Sequence, residues 1–137
     1  MDPSALNALS PVDGRYRAAT APLAAVLSEA ALIRERARVE ALWIGHLATA
    51  VPGLLKAPLP ASVTACIQSI ASDPGDEAAA TVKAIEQKIN HDVKAVEYFV
   101  RDRLAAAGAT PAVLELVHFG CTSEDVNNVS YARLLQR

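Results

Sequence analysis

The sequence has 137 residues, with 13 Lys and Arg against 15 Asp and Glu, giving a net charge of −2 at pH 7. This length supports one modest domain with a real core, and the near-neutral balance offers no electrostatic footprint for nucleic acid or for an anionic membrane surface. Hydrophobic residues make up 52% and aromatics only 4%; a chain rich in alanine and poor in aromatics favours packed helices over a sheet, so the expected fold class is all-α.

The first twenty residues contain Asp2, Pro3, Pro11 and Asp13 without a continuous apolar run, which is unlike a secretory signal. The stretch from Ala21 to Ile33 is interrupted by Ser28 and Glu29 and is too short to span a bilayer. Cys66 and Cys121 have neither metal-ligand nor redox spacing, and two cysteines make no disulfide framework. A cytoplasmic protein without a metal site is the expectation.

Residues 1–17 show no sustained period, so they are expected as an extended arm ending in a turn at Asp13-Gly14. Glycine there permits a sharp bend, and Arg15, beside Tyr16, would present a planar, permanently charged fork suited to carboxylate or phosphate. A surface turn with a solvated arginine is the plainer alternative. Ala21 to Ala50 carries the longest helical pattern, either one helix or two joined near Ser28. Leu23 and Leu27 mark one face, and Val39, Leu42, Trp43, His46, Leu47 and Ala50 another. The run Arg34-Glu35-Arg36, with Arg38 and Glu40, is expected on a solvated face, with an Arg36–Glu40 pair. His46 is expected beside Trp43 as a satisfied core or interface histidine.

Pro52-Gly53 ends that helix and Pro58 and Pro60 mark a linker. Val63, Cys66, Ile67 and Ile70 then recur at i, i+3, i+4 and i+7 in a short helix, closed by Asp73-Pro74-Gly75. A further helix from about Asp76 to Lys88 directs Ala78, Val82, Ile85 and Ile89 to the core and delivers the chain to Asn90.

At Asn90-His91-Asp92 a polar tripeptide runs straight into an amphipathic helix of about four turns, with Val93, Val96, Val100 and Leu104 on one face. Asn90 is the expected N-cap and Asp92 a first-turn carboxylate favoured by the helix dipole. His91 would then stand between them at a helix mouth, where free N–H groups attract anions. Gly108 and Pro111 mark a stop and a restart. Thr122, followed three residues later by Asp125, matches the capping box, so another helix is expected with two hydroxyls, Thr122 and Ser123, at its mouth. Asn127-Asn128 inside that helix is poor local propensity, a breach expected where a site or polar interface requires it. The chain then stops among strong helix formers, which suggests the front part of something longer.

Three stretches together resemble the bacterial adenylosuccinate lyase family, within the fumarase, aspartase and argininosuccinate lyase superfamily. They are Leu9-Ser10-Pro11-Val12-Asp13-Gly14-Arg15-Tyr16, Asn90-His91-Asp92-Val93-Lys94-Ala95-Val96-Glu97-Tyr98, and the stretch from His118 through Cys121-Thr122-Ser123-Glu124-Asp125 to Asn128. One departure is Ile89, where a threonine would be expected before the asparagine. The resemblance implies an all-α fold, with an N-terminal helical domain over 1–112 and the start of a central helix-bundle domain over 113–137. It also implies β-elimination of fumarate from adenylosuccinate and from the succinylated ribotide SAICAR, without metal or organic cofactor, by a homotetramer whose sites draw on several subunits. By matching positions, Arg15, Tyr16, Asn90, His91 and Asp92 would contact the nucleotide, and Thr122 and Ser123 the succinyl portion. His91 would assist or orient only. The family's base, on a Ser-Ser-x-Met-Pro loop, and its principal acid, in a Thr-His-Gly-Gln segment, have no counterpart in these residues.

Overall fold

The computed structural model describes residues 3–137. Among the described residues the helices are α1 (Pro3–Leu6), α2 (Arg17–Leu27), α3 (Glu29–Ala50), α4 (Ala61–Ser72), α5 (Ala78–Ile89), α6 (Asp92–Ala106), α7 (Pro111–Leu114) and α8 (Ser123–Leu134), with no strand. The all-α expectation holds.

Ser28 decides how the long pattern over 21–50 divides. Its backbone is extended and its hydroxyl accepts the Ala31 N–H at 3.2 Å, so α3 has its own cap and begins anew after α2. α3 is the axis of the molecule and packs against α2, α4, α5, α6 and α8. Its buried face carries Ile33, Ala37, Ala41, Ile44 and Leu47 against Val63, Ile67 and Ile70 of α4, Val82 of α5, and Val96, Val100 and Leu104 of α6. Ala37 and Ala41 are fully buried. Small side chains at these crossings let the neighbouring backbones approach, and larger residues on either side fill the space between helices.

That arrangement corrects the expected stripe. Leu42, His46 and Ala50 are exposed and Val39 and Trp43 half-buried, because the core selects the face of Ala37 and Ala41 over the one with the bulkiest side chains. His46 stacks on Trp43 with ring centroids 5.7 Å apart, at the surface and not in the core. Ile89 is also exposed, Cys66 is only half-buried, and α2 has no buried residue, leaving Leu23 and Leu27 in solvent.

The charged run of α3 departs furthest from expectation. Glu35, Arg36 and Glu40 are buried, and the anticipated Arg36–Glu40 pair does not form because each finds a partner from later in the chain. Glu35 is gripped by Arg38 at 3.0 Å, by Arg137 at 2.9 Å and by Arg133. Burial alone would raise its carboxyl, but Arg133, Arg38 and Arg137 outweigh it and hold the group below its ordinary value.

Of the expected extended arm, Met1 and Asp2 lie outside the described residues, and Pro3–Leu6 is a helical turn. The chain then winds through successive turns, with the Gly14 N–H on the Ser10 carbonyl at 3.0 Å and the Tyr16 N–H on that of Pro11 at 2.9 Å. Gly14 is required by close approach: a Cβ there would lie 2.5 Å from the Ala5 carbonyl oxygen.

Replacing Ile44 by Ala should cost about 3 kcal/mol in urea unfolding, since the side chain is fully enclosed. Leu23→Ala should stay within about 0.5 kcal/mol, as expected for a surface change.

Candidate functional site

α5 ends at Asn90, whose backbone is left-handed (φ 55°) and whose N–H reaches the Glu86 carbonyl at 2.7 Å. Asparagine enters that conformation at little cost and so terminates a helix well. The next residue, His91, is extended and is the true N-cap of α6, its Nδ1 accepting the Lys94 N–H at 3.2 Å. The cap expected at Asn90 therefore falls one residue later, because Asn90 is occupied in closing α5. With Nδ1 engaged as an acceptor, a neutral His91 carries its proton on Nε2 and presents a hydrogen-bond donor from a side chain about half exposed.

Asp92 stands in the first turn as expected. Partial burial opposes its charge, but the Val93 N–H and the Arg36 guanidinium prevail and hold the carboxyl below its ordinary value.

The second mouth is built as its sequence implies. Thr122 accepts the Asp125 N–H at 3.3 Å, and the Asp125 carboxylate receives the Thr122 N–H at 2.7 Å and hydroxyl at 2.8 Å, a complete capping box. Both donations lower the Asp125 carboxyl, the backbone one most. Ser123 is the first helical residue and is half-buried, and its hydroxyl has no hydrogen-bond partner among the described residues.

Arg36 joins the first mouth to the body of α8, one turn beyond the second. Its Nη1 lies 2.9 Å from Asp92 Oδ2 and its Nε donates to Asn127 Oδ1 at 2.9 Å, while Asn127 Nδ2 donates to Glu124 Oε1 at 3.2 Å. Sequence reasoning placed this arginine in solvent. The available signal was Asn127, a poor helix former that its tertiary hydrogen bond accounts for. Ser123 lies about one helical turn, roughly 6 Å of rise, from Asn127, and Thr122 one residue further.

A second polar cluster supports the segment before α8. Glu40 receives the His118 backbone N–H at 3.0 Å and its Nδ1 at 2.6 Å, and His118 Nε2 lies 3.9 Å from Glu97, which pairs with Lys94 at 2.6 Å. Burial pushes the Glu40 carboxyl up, with the His118 hydrogen bonds pulling the other way. His118 is left-handed (φ 61°), and the double grip of Glu40 fixes it there. Trp43 Nε1 donates to the Phe119 carbonyl at 2.8 Å, pinning the same loop. Beside it a hollow of about 310 Å³ is lined by Val39, Glu40, Trp43, Gly120, Cys121, Asp125, Val126 and Val129.

The fold thus ties Asp92, with His91 beside it, to α8 through Arg36 and Asn127. Arg15 and Tyr16 are not joined to them: both are exposed, the Arg15 guanidinium lies 5.7 Å from the centroid of the Tyr16 ring, and neither makes a hydrogen bond or ion pair to Asn90–Asp92 or to Thr122–Ser123 among the described residues. No three of His, Cys, Asp and Glu converge as a metal site would require among the described residues, and no described helix is long and apolar enough to cross a membrane.

An all-helical domain of this kind agrees with the N-terminal domain of the fumarase/aspartase superfamily. Within that class the chain is homologous over its whole length to adenylosuccinate lyases. It is 42% identical to the adenylosuccinate lyase of Vibrio cholerae over 99% of this chain, 42% identical to that of Escherichia coli K12 over 99%, and 41% identical to that of Haemophilus influenzae over 98%. The chain spans about 30% of the length of these relatives. No family model matches it.

Thr122→Ala should cost about 1 kcal/mol in urea unfolding through loss of the cap. Asp92 and Asp125 are both depressed on folding, so the stability they confer is complete above the ordinary aspartate value of 3.8 and drains away as pH falls through their lower folded values. Acid titration followed by circular dichroism should show this loss, and it should be smaller in Asp125→Asn. Nitrogen-15 spectra of neutral His91 should place its single ring proton on Nε2.

Proposed function

We propose that this chain supplies a substrate-binding part of an adenylosuccinate lyase, acting on adenylosuccinate and SAICAR by β-elimination of fumarate in purine biosynthesis. The observation that carries the reading is the meeting of the His91–Asp92 mouth and the Thr122–Ser123 helix at Arg36, in a chain homologous to these enzymes.

β-Elimination removes a proton beside a carboxylate, protonates the leaving nitrogen, and develops negative charge that fixed donors must meet. This chain is rich in such donors. His91 offers Nε2–H to orient or polarise the substrate, Asn90 and Asp92 contact the nucleotide, and the Thr122 and Ser123 hydroxyls take the succinyl carboxylates. Arg15 and Tyr16 complete the nucleotide side from a neighbouring copy in a homotetramer. The base and principal acid come from segments outside these residues, and no cofactor takes part. In this reading residues 1–112 are the N-terminal domain and 113–137 begin the central bundle of a cytoplasmic enzyme.

The isolated chain should therefore bind without turning over. Adenylosuccinate added to the purified chain should move the amide signals of His91, Thr122 and Ser123 while its absorbance stays constant. Turnover at an ordinary enzymatic rate would refute the assignment of acid and base elsewhere, and unmoved signals at millimolar ligand would refute the binding site.

A second reading, a helical interaction module without catalysis, draws support from the exposed Leu42 and Val129 flanking half-buried Val39 and Trp43. Concentration-dependent association in sedimentation equilibrium, together with no response to adenylosuccinate, would favour it.

A further inference from the structure

We infer that Arg36 is a positioning residue that sets the spacing between the two helix mouths, so that a single ligand meets both. The inference rests on the reading above that His91–Asp92 and Thr122–Ser123 serve one substrate. Its physical basis is the fork of the guanidinium. Arg36 is 6% exposed, and it engages two acceptors on different helices through two different nitrogens, Nη1 to Asp92 on α6 and Nε to Asn127 on α8, each at 2.9 Å. The group is planar, so fixing one nitrogen fixes the direction of the other. The guanidinium is nearly enclosed although Asp92 is half exposed, so a shift of either helix costs the buried cation a partner it has little water to replace.

The connection continues outward at both ends. His91 Nδ1 lies 3.8 Å from the Asp92 oxygen that Arg36 does not hold, and Asn127 hands its amide on to Glu124 in the first turn of α8. Arg36 itself reaches no mouth residue except Asp92, so it acts through its partners and is not a group that touches the substrate.

The inference predicts an energetic coupling between Asp92 and Asn127 that exists only with arginine between them. The test is a carbon-13 titration of the Asp92 carboxyl in the chain as it stands, in Asn127→Ala, in Arg36→Lys, and in the double variant. Removing the Asn127 oxygen frees Nε and lets the guanidinium turn from Asp92, so the Asp92 midpoint should rise by about half a unit. Lysine keeps a charge near Asp92 but has no second arm, so in that background Asn127→Ala should leave the midpoint unmoved. An Asp92 midpoint indifferent to Asn127 when Arg36 is present would overturn the inference, as would a response that persists with lysine. Asn127 lies outside the apolar core, so Asn127→Ala against the parent chain decides the question even if Arg36→Lys does not fold. No ligand enters the measurement. Coupling without an adenylosuccinate response would sink the binding site and leave the strut, and a response without coupling would do the reverse.

Discussion

Burial of Glu35, Arg36 and Glu40 within less than two turns of α3 is the constraint around which the second half of the chain is arranged. Each is met by a segment that arrives much later: Glu35 by Arg133 and Arg137, Arg36 by Asp92 and Asn127, Glu40 by His118. A buried charge without its partner is costly, whereas an apolar contact tolerates sliding. These pairs consequently select one register of α6 and α8 against α3 where greasy surfaces alone would permit several. The apolar core, centred on Ile44, Ile70 and Leu104, supplies the drive to collapse. The charged row supplies the address.

The two mouths acquire their geometry from this row and from ordinary local rules. Asn90 closes α5 in a left-handed turn and leaves His91 extended, which turns a histidine into a cap and commits one of its nitrogens. Thr122 and Asp125 close their box without help from elsewhere. What local chemistry cannot do is aim one mouth relative to the other, and that information resides in long-range bonds to α3. Such division of labour is common where a site is assembled from separate stretches of chain: caps shape the parts, and buried polar contacts orient them.

Legibility of the sequence follows the same division. Helices α4, α5 and α6 are evident from their periodicity, and the start of α8 from the spacing of the Thr122 box, because these depend on residues within a turn of one another. The charged run of α3 was misread because Arg34-Glu35-Arg36 looks the same whether it meets water or partners nearly a hundred residues away. The apolar face of α3 was misread because its buried alanines are less conspicuous than exposed Leu42 and half-buried Trp43. The Asn90 cap failed by one residue, since two helices compete for that position and the left-handed preference of asparagine decides in favour of the first. Arg15 and Tyr16 were recognised as a motif, yet nothing in the spacing told where their turn would lie. The homology to adenylosuccinate lyases was legible from three short stretches and agrees with the relatives found.

The absence of any buried residue in α2 separates the molecule into a rooted body and a lightly held front. A helix that contributes nothing to the core has only its surface contacts with α3 to lose on opening, so it is expected to open more readily than α3 to α8. Arg15 and Tyr16 sit immediately before this helix. The turn that carries them is therefore anchored through the helix with the least to lose on opening, whereas the His91 and Thr122 mouths open directly onto helices rooted in the core.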